Sequence, residues 1–123
     1  MGIISHITFV VRDLERSAGF WQGIFGAKEV YSSPTVKYFL VDDLWVALNL
    51  GEPPKERSYN HIAFKIREDE IDSYLERIKA VGAETKPDRH RRTGEGVSIY
   101  FYDFDNNLFE LHTGTLSERL GNL

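Results

Sequence analysis

The chain has 123 residues, 41% of them hydrophobic and 28% charged, with no cysteine and a formal net charge of −4. That length suits one domain that buries a core without disulfides or a structural metal, and the missing cysteines exclude disulfides, thiolate metal sites and a cysteine nucleophile. No apolar run approaches the roughly 20 residues that cross a bilayer, and the acidic balance argues against a general nucleic-acid binder, so neither membrane nor nucleic acid is an expected partner.

The first stretch, MGIISHITFVV, runs into strand-like sequence without a basic region or a small-residue cleavage site, which points to a cytoplasmic location. Ile7, Phe9 and Val11 alternate with His6, Thr8 and Val10, the period of a half-buried strand. Helical spacing follows in Leu14, Ala18, Trp21 and Phe25, with Asp13 placed to cap the start and Gly26 to mark the end. KYFLV and LWVALNL then read as strands around an Asp42-Asp43 turn, and GEPPKERS reads as a linker.

After the linker the pattern repeats. SHITFVV at Ser5 is answered by NHIAFKI at Asn60, where Ile62, Phe64 and Ile66 alternate with His61, Ala63 and Lys65. Ile71, Leu75, Ile78 and Val81 have helical spacing up to Gly82, KPDRHRRTGEG is a long polar loop, and VSIYFYD and NLFELHT are strands joined by a DFDN turn. Each half is β-α-β-β with room for one more short strand. The expected fold is therefore α+β: two tandem βαβββ modules, approximately 1–52 and 58–123, forming a cupped sheet within a single domain, its concave side the one the histidines face.

In the last strand Phe109 and Leu111 alternate with Leu108, Glu110 and His112, so Glu110 faces away from the greasy pair. Two neutral imidazoles and a carboxylate, His6, His61 and Glu110, form a common set for a divalent metal that keeps positions open for substrate. A lone strand histidine is more often a hydrogen-bonded structural residue; two in matched places with a carboxylate make a constellation. The position matching Glu110 in the first half is Ala47, so the repeat offers three ligands, not four, and His112 is a neighbour on the same face. These ligand types leave an iron dioxygenase open.

The duplicated pattern with these three residues resembles the vicinal oxygen chelate superfamily of glyoxalases, extradiol dioxygenases, bleomycin-binding proteins and fosfomycin-resistance enzymes. Through YFLVDDLWVALN, SYNHIAFKI and above all GEGVSIYFYDFDNNLFELHTGTLSERL, it is similar to the fosfomycin-resistance enzymes. The resemblance implies a homodimer of swapped halves, with His6 of one chain joining His61 and Glu110 of the other, and Mn²⁺ or another divalent ion. It also implies fosfomycin, a small phosphonate epoxide, as substrate. Ser98, Tyr100, Arg119 and, from the basic run, Arg91 are the expected partners of the phosphonate, with His90 standing where some members have lysine. Thr8 is expected near the epoxide oxygen and Trp45 as an apolar wall, although Trp45 also suits a plain core position. In some relatives the stretch matching Gly94-Glu95-Gly96 binds potassium.

Members of the family differ in nucleophile: glutathione, bacillithiol or cysteine in some, and water in the FosX type, where a glutamate is the base. The carboxy-terminal words are closest to the FosX type, but Val36 stands in the glutamate's place and Tyr38 where the thiol-transferring members have a tyrosine suited to assisting a thiol. Asp42, Asp43 or Glu95 are candidates for a displaced base. The expectation is thiol transfer, with water addition as the alternative. A non-catalytic drug-binding protein of the same fold gives no role to the three ligands, a glyoxalase needs a fourth ligand where Ala47 stands, and a dioxygenase fits the cationic set less well.

Overall fold

A computed structural model describes residues 2–86 and 96–121. The chain forms two compact units, Met1–Glu56 with Phe104–Asn106, and Arg57–Asp103 with Asn107–Leu123. Among the described residues no helix is long and apolar enough to cross a membrane.

In the first unit β1 (His6–Val11) leads into α1 (Leu14–Phe25), followed by β2 (Lys28–Ser32), β3 (Val36–Val41) and β4 (Leu44–Leu50). Asp13 caps α1 by accepting the amide of Arg16, and Gly26 ends it with a φ of 62° that a side chain would disfavour. The sheet order is β1-β4-β3-β2, with β1 parallel to β4 and the other pairs antiparallel. Phe20, Trp21 and Ile24 of α1 are buried, as are Phe39, Val46 and Leu48 on the sheet, and α1 packs on β3 and β4. Phe9 meets the Trp21 ring at 5.6 Å, so the greasy side of β1 faces the helix as its alternation predicts. Each such large side chain stabilises by roughly 1.5–3 kcal/mol when fully buried.

The second unit repeats the plan with β5 (His61–Lys65), α2 (Ile71–Val81), β6 (Thr85–Lys86), β7 (Ser98–Tyr102) and β8 (Leu108–His112), in the order β5-β8-β7-β6. Gly82 ends α2 with a φ of 78°. Ile78, Phe101, Phe109 and Leu111 are buried, and the Phe109 ring lies 5.8 Å from Phe101 and 6.4 Å from Phe64. The two modules are thus βαβββ, the extra strands being β2 and β6.

The registers confirm the correspondence between halves. Ile7 pairs with Val46 and Thr8 with Ala47, while Ile62 pairs with Phe109 and Ala63 with Glu110. Ala47 therefore occupies the place in its sheet that Glu110 occupies in the other.

Two features lie outside the sequence expectations. A short helix α3 (Leu116–Gly121) follows β8, opened by a capping box in which the Glu118 amide donates to Thr115 Oγ1 and the Thr115 amide to Glu118 Oε1. On the helix side of the first sheet Lys37 is buried, its Nζ donating to Glu29 at 2.7 Å and Ser32 at 2.9 Å and lying 3.3 Å from Glu15. The hydrogen bond that Lys37 donates to Glu29 leads in raising the Lys37 pKa.

Candidate metal and substrate site

The second unit gathers a connected set of polar side chains on the face of β5, β7 and β8 opposite Phe109. His61 Nδ1 is 2.8 Å from the Tyr59 carbonyl oxygen, which only accepts, so Nδ1 carries the proton and donates. The Nε2 of a neutral His61 then presents its lone pair, 3.0 Å from Glu110 Oε1, which is also an acceptor. Two groups at that distance are reconciled either by a second proton on the imidazole or by a cation bonded to both. Adjacent ligands of an octahedral ion at about 2.1 Å stand about 3.0 Å apart, so the pair fits a divalent metal.

Glu110 is 7% exposed, and burial of a carboxylate demands partners. Its other oxygen, Oε2, accepts the hydroxyl of Ser98 at 2.6 Å. The Ser98 proton is committed there, so the oxygen of Ser98 accepts from His112 Nδ1 at 2.7 Å. Ser98, expected against the phosphonate, thus spends its hydroxyl on Glu110 and His112. Tyr100, one pleat along, packs edge-on to His61 with ring centres 5.4 Å apart, and its hydroxyl is 3.4 Å from that of Tyr59. The ammonium of Lys86 lies 4.7 Å from the Tyr59 ring centre and 5.9 Å from that of Tyr100. Sequence reasoning passes over Tyr59 and Lys86, although Tyr59 has the parity of His61.

The first unit carries the remaining expected residues on one sheet face. His6 is exposed, stacks on Trp45 with ring centres 4.1 Å apart, and has Ser5 Oγ 3.1 Å from its Nδ1. Thr8 follows on the same face, paired with Ala47, which pairs in turn with Tyr38. The Tyr38 ring meets Trp45 edge-on at 5.2 Å and lies 5.2 Å from Tyr31. Trp45 Nε1 is buried with no hydrogen-bond partner among the described residues.

Val36 opens β3 and pairs with Asn49; its amide donates to Ser33 Oγ and its carbonyl accepts the Ser33 amide, closing the β2–β3 turn. On the strands of this unit the face bearing His6 carries no aspartate or glutamate. Asp42 and Asp43 form the β3–β4 turn, Asp42 with a φ of 51°.

Arg119 is exposed on α3. Arg91, Glu95 and the potassium stretch at Gly94 lie outside the described residues. Among the described residues no three histidine, aspartate or glutamate side chains gather into a metal-holding group; the structure joins His61 with Glu110, and His6 belongs to the other unit.

The profile of the Glyoxalase/Bleomycin resistance protein/Dioxygenase superfamily matches residues 3–111. Fosfomycin resistance protein FosX of Mesorhizobium japonicum is 55% identical over 124 residues, covering 95% of this chain and 89% of that protein. A solved structure of FosX from Listeria monocytogenes is 54% identical with a TM-score of 0.93, covering 99% of this chain and 98% of that one. That structure is a glutamate-to-glutamine mutant complexed with Mn(II) and 1S,2S-dihydroxypropylphosphonic acid. Metallothiol transferase FosB of Lysinibacillus sphaericus stands further off, 41% identical over 95% of this chain and 86% of that protein.

These distances overturn the expectation of thiol transfer. It rested on Val36 and Tyr38, two positions on one strand, whereas the similarity to FosX runs through nearly the whole chain. Val36 excludes a base at its own position only. Tyr38, read as the helper of a thiol, is a member of the aromatic group of Tyr31 and Trp45. The chain belongs to the fosfomycin-resistance family within the Glyoxalase/Bleomycin resistance protein/Dioxygenase superfamily.

Proposed function

We propose that this protein is a divalent-metal-dependent enzyme that opens the epoxide of fosfomycin by adding water. The observation that carries the reading is the His61–Glu110 pair, two acceptors 3.0 Å apart, in a chain more than half identical to FosX. The compound held by the Listeria relative supports it chemically. A vicinal dihydroxypropylphosphonate is what remains when water adds to an epoxypropylphosphonate: one new carbon–oxygen bond forms, one epoxide carbon–oxygen bond breaks, and the released alkoxide takes a proton.

His61 and Glu110 hold the metal, Mn²⁺ by analogy with the FosX structures, and His6 of a second copy completes the set in a homodimer. When bound, that ion supplies Lewis-acid stabilisation of the alkoxide that develops as the ring opens. Thr8, on the face of His6, offers a hydroxyl to the same oxygen. Trp45 and Tyr38 form an apolar wall for the substrate's methyl group. Tyr100 with Tyr59 and Lys86, joined by Arg119 and Arg91, supply the donors and positive charge that a phosphonate requires. The proton of the attacking water goes to a group off the strand face of His6, because no carboxylate stands there.

Phosphorus NMR of fosfomycin with the protein and Mn²⁺ tests the reading, in parallel samples without thiol and with glutathione, cysteine or bacillithiol. The diol resonance is expected in every sample at the same rate. A new resonance confined to a thiol sample would overturn water addition.

A further inference from the structure

We infer that Ser98 and His112 are positioning residues that make Glu110 a one-oxygen ligand. The inference rests on the metal reading above and specifies how the carboxylate is prepared for it. A free carboxylate can offer either oxygen or both to a cation. Here Oε2 is held by the Ser98 hydroxyl at 2.6 Å, with His112 Nδ1 a further 3.4 Å contact to the same oxygen. Oε1, the oxygen next to His61 Nε2, is left to bind.

Proton bookkeeping fixes the order of the chain. Glu110 has no proton to give as a carboxylate, so Ser98 donates to it. Ser98 then has only lone pairs for His112, so His112 Nδ1 donates to Ser98. At the other end the Tyr59 carbonyl fixes the tautomer of His61. The whole line, His112 to Ser98 to Glu110 and His61 to Tyr59, points its two unprotonated ends, Oε1 and Nε2, at one place.

Its architecture makes the arrangement stiff. Ser98 is 1% exposed and Glu110 is 7% exposed, and β7 and β8 pair Ser98 with His112 directly. Turning the serine away would leave Oε2 with only the longer 3.4 Å contact to His112. Partners of this kind that orient a metal-ligating carboxylate are worth about 10–100-fold in metal affinity.

The test is Mn²⁺ affinity of the full chain at one fixed pH, read from the paramagnetic resonance signal of unbound Mn²⁺. Ser98→Ala is expected to weaken binding by about 10–100-fold. His112→Leu, which removes the donor behind Ser98, is expected to weaken it by a smaller factor. His112→Asn, whose side-chain amide reaches about the place of Nδ1, is expected to return it towards the parent value. The two His112 variants decide the matter if Ser98→Ala does not fold. Parent affinity in Ser98→Ala and His112→Leu, with binding lost in His61→Ala, would overturn the inference and leave the metal reading standing. Parent affinity in His61→Ala as well would overturn both.

Discussion

Glu110 Oε1 stands 3.0 Å from His61 Nε2 across neighbouring parallel strands, and neither atom has a proton to offer when the imidazole is neutral. This pair is the proposed cation site. Mn²⁺ should therefore raise the thermal midpoint of the parent, since a ligand that binds only the folded state at 100 times its Kd stabilises by about 2.7 kcal/mol. His61→Ala and Glu110→Gln should show no such rise in a melt followed by circular dichroism. His6→Ala should lose it too if a second copy completes the site.

Gly96 is a structural requirement close to β7. Its φ is +81°, and a Cβ there would sit 2.6 Å from the Gly114 nitrogen. Beside it the Val97 amide donates to Thr113 Oγ1 at 2.9 Å, so this close approach sets the start of β7, the strand of Ser98. Gly96→Ala should cost about 1–3 kcal/mol through the strained backbone alone. Urea unfolding checks this as a lower midpoint with an unchanged slope.

Arg57 grips Glu84 through two hydrogen bonds of 2.8 and 3.1 Å while lying 3.7 Å from the ring centre of Tyr102. The hydrogen bond from Arg57 leads in lowering the Glu84 pKa below its ordinary 4.5. A carboxyl whose folded value is depressed stabilises the fold above its unfolded value and loses that contribution as pH falls through the folded one. Glu84→Gln should therefore melt below the parent near neutral pH, and the gap should close as pH falls through the depressed folded value. Because both groups reach solvent, added salt should narrow the gap at neutral pH.

Phe109 is fully buried between Phe101 and Phe64, and it pairs with Ile62 in the strand that carries Glu110. Phe109→Ala should cost about 3–5 kcal/mol, with loss of Mn²⁺ affinity following the loss of fold rather than preceding it. Melting with and without Mn²⁺ separates the two effects.

The repeat was legible because its signals are local. Two-residue alternation in β1 and β5, the Asp13 cap and the glycines at 26 and 82 each dictate conformation without reference to the rest of the chain. Parity alone put Glu110 on the face of His61. The extra strand of each module was expected but had no such local signal to place it: β2 is exposed along its whole length and shows no alternation, and β6 has two residues. α3 did carry one, the Thr115–Glu118 capping box. Buried Lys37 was invisible because a lysine reads as surface until its partners, Glu29 and Glu15, are brought to it by the fold. Ser98 was expected against the phosphonate from its parity, but its hydroxyl's commitment to Glu110 and His112 depends on pairing between two strands. The nucleophile was misread for a different reason. A ligand set is fixed by geometry around one ion, whereas a base serves from more than one direction, so Val36 at a single position was a weak guide.

The most direct test of the account is the fate of isotopic oxygen. Fosfomycin is incubated with the protein and Mn²⁺ in water enriched in oxygen-18, without thiol, and the product is weighed by mass spectrometry. The account predicts a dihydroxypropylphosphonate carrying one heavy oxygen per molecule. Unchanged fosfomycin in this sample, with a sulfur adduct appearing once glutathione or another thiol is added, would contradict it.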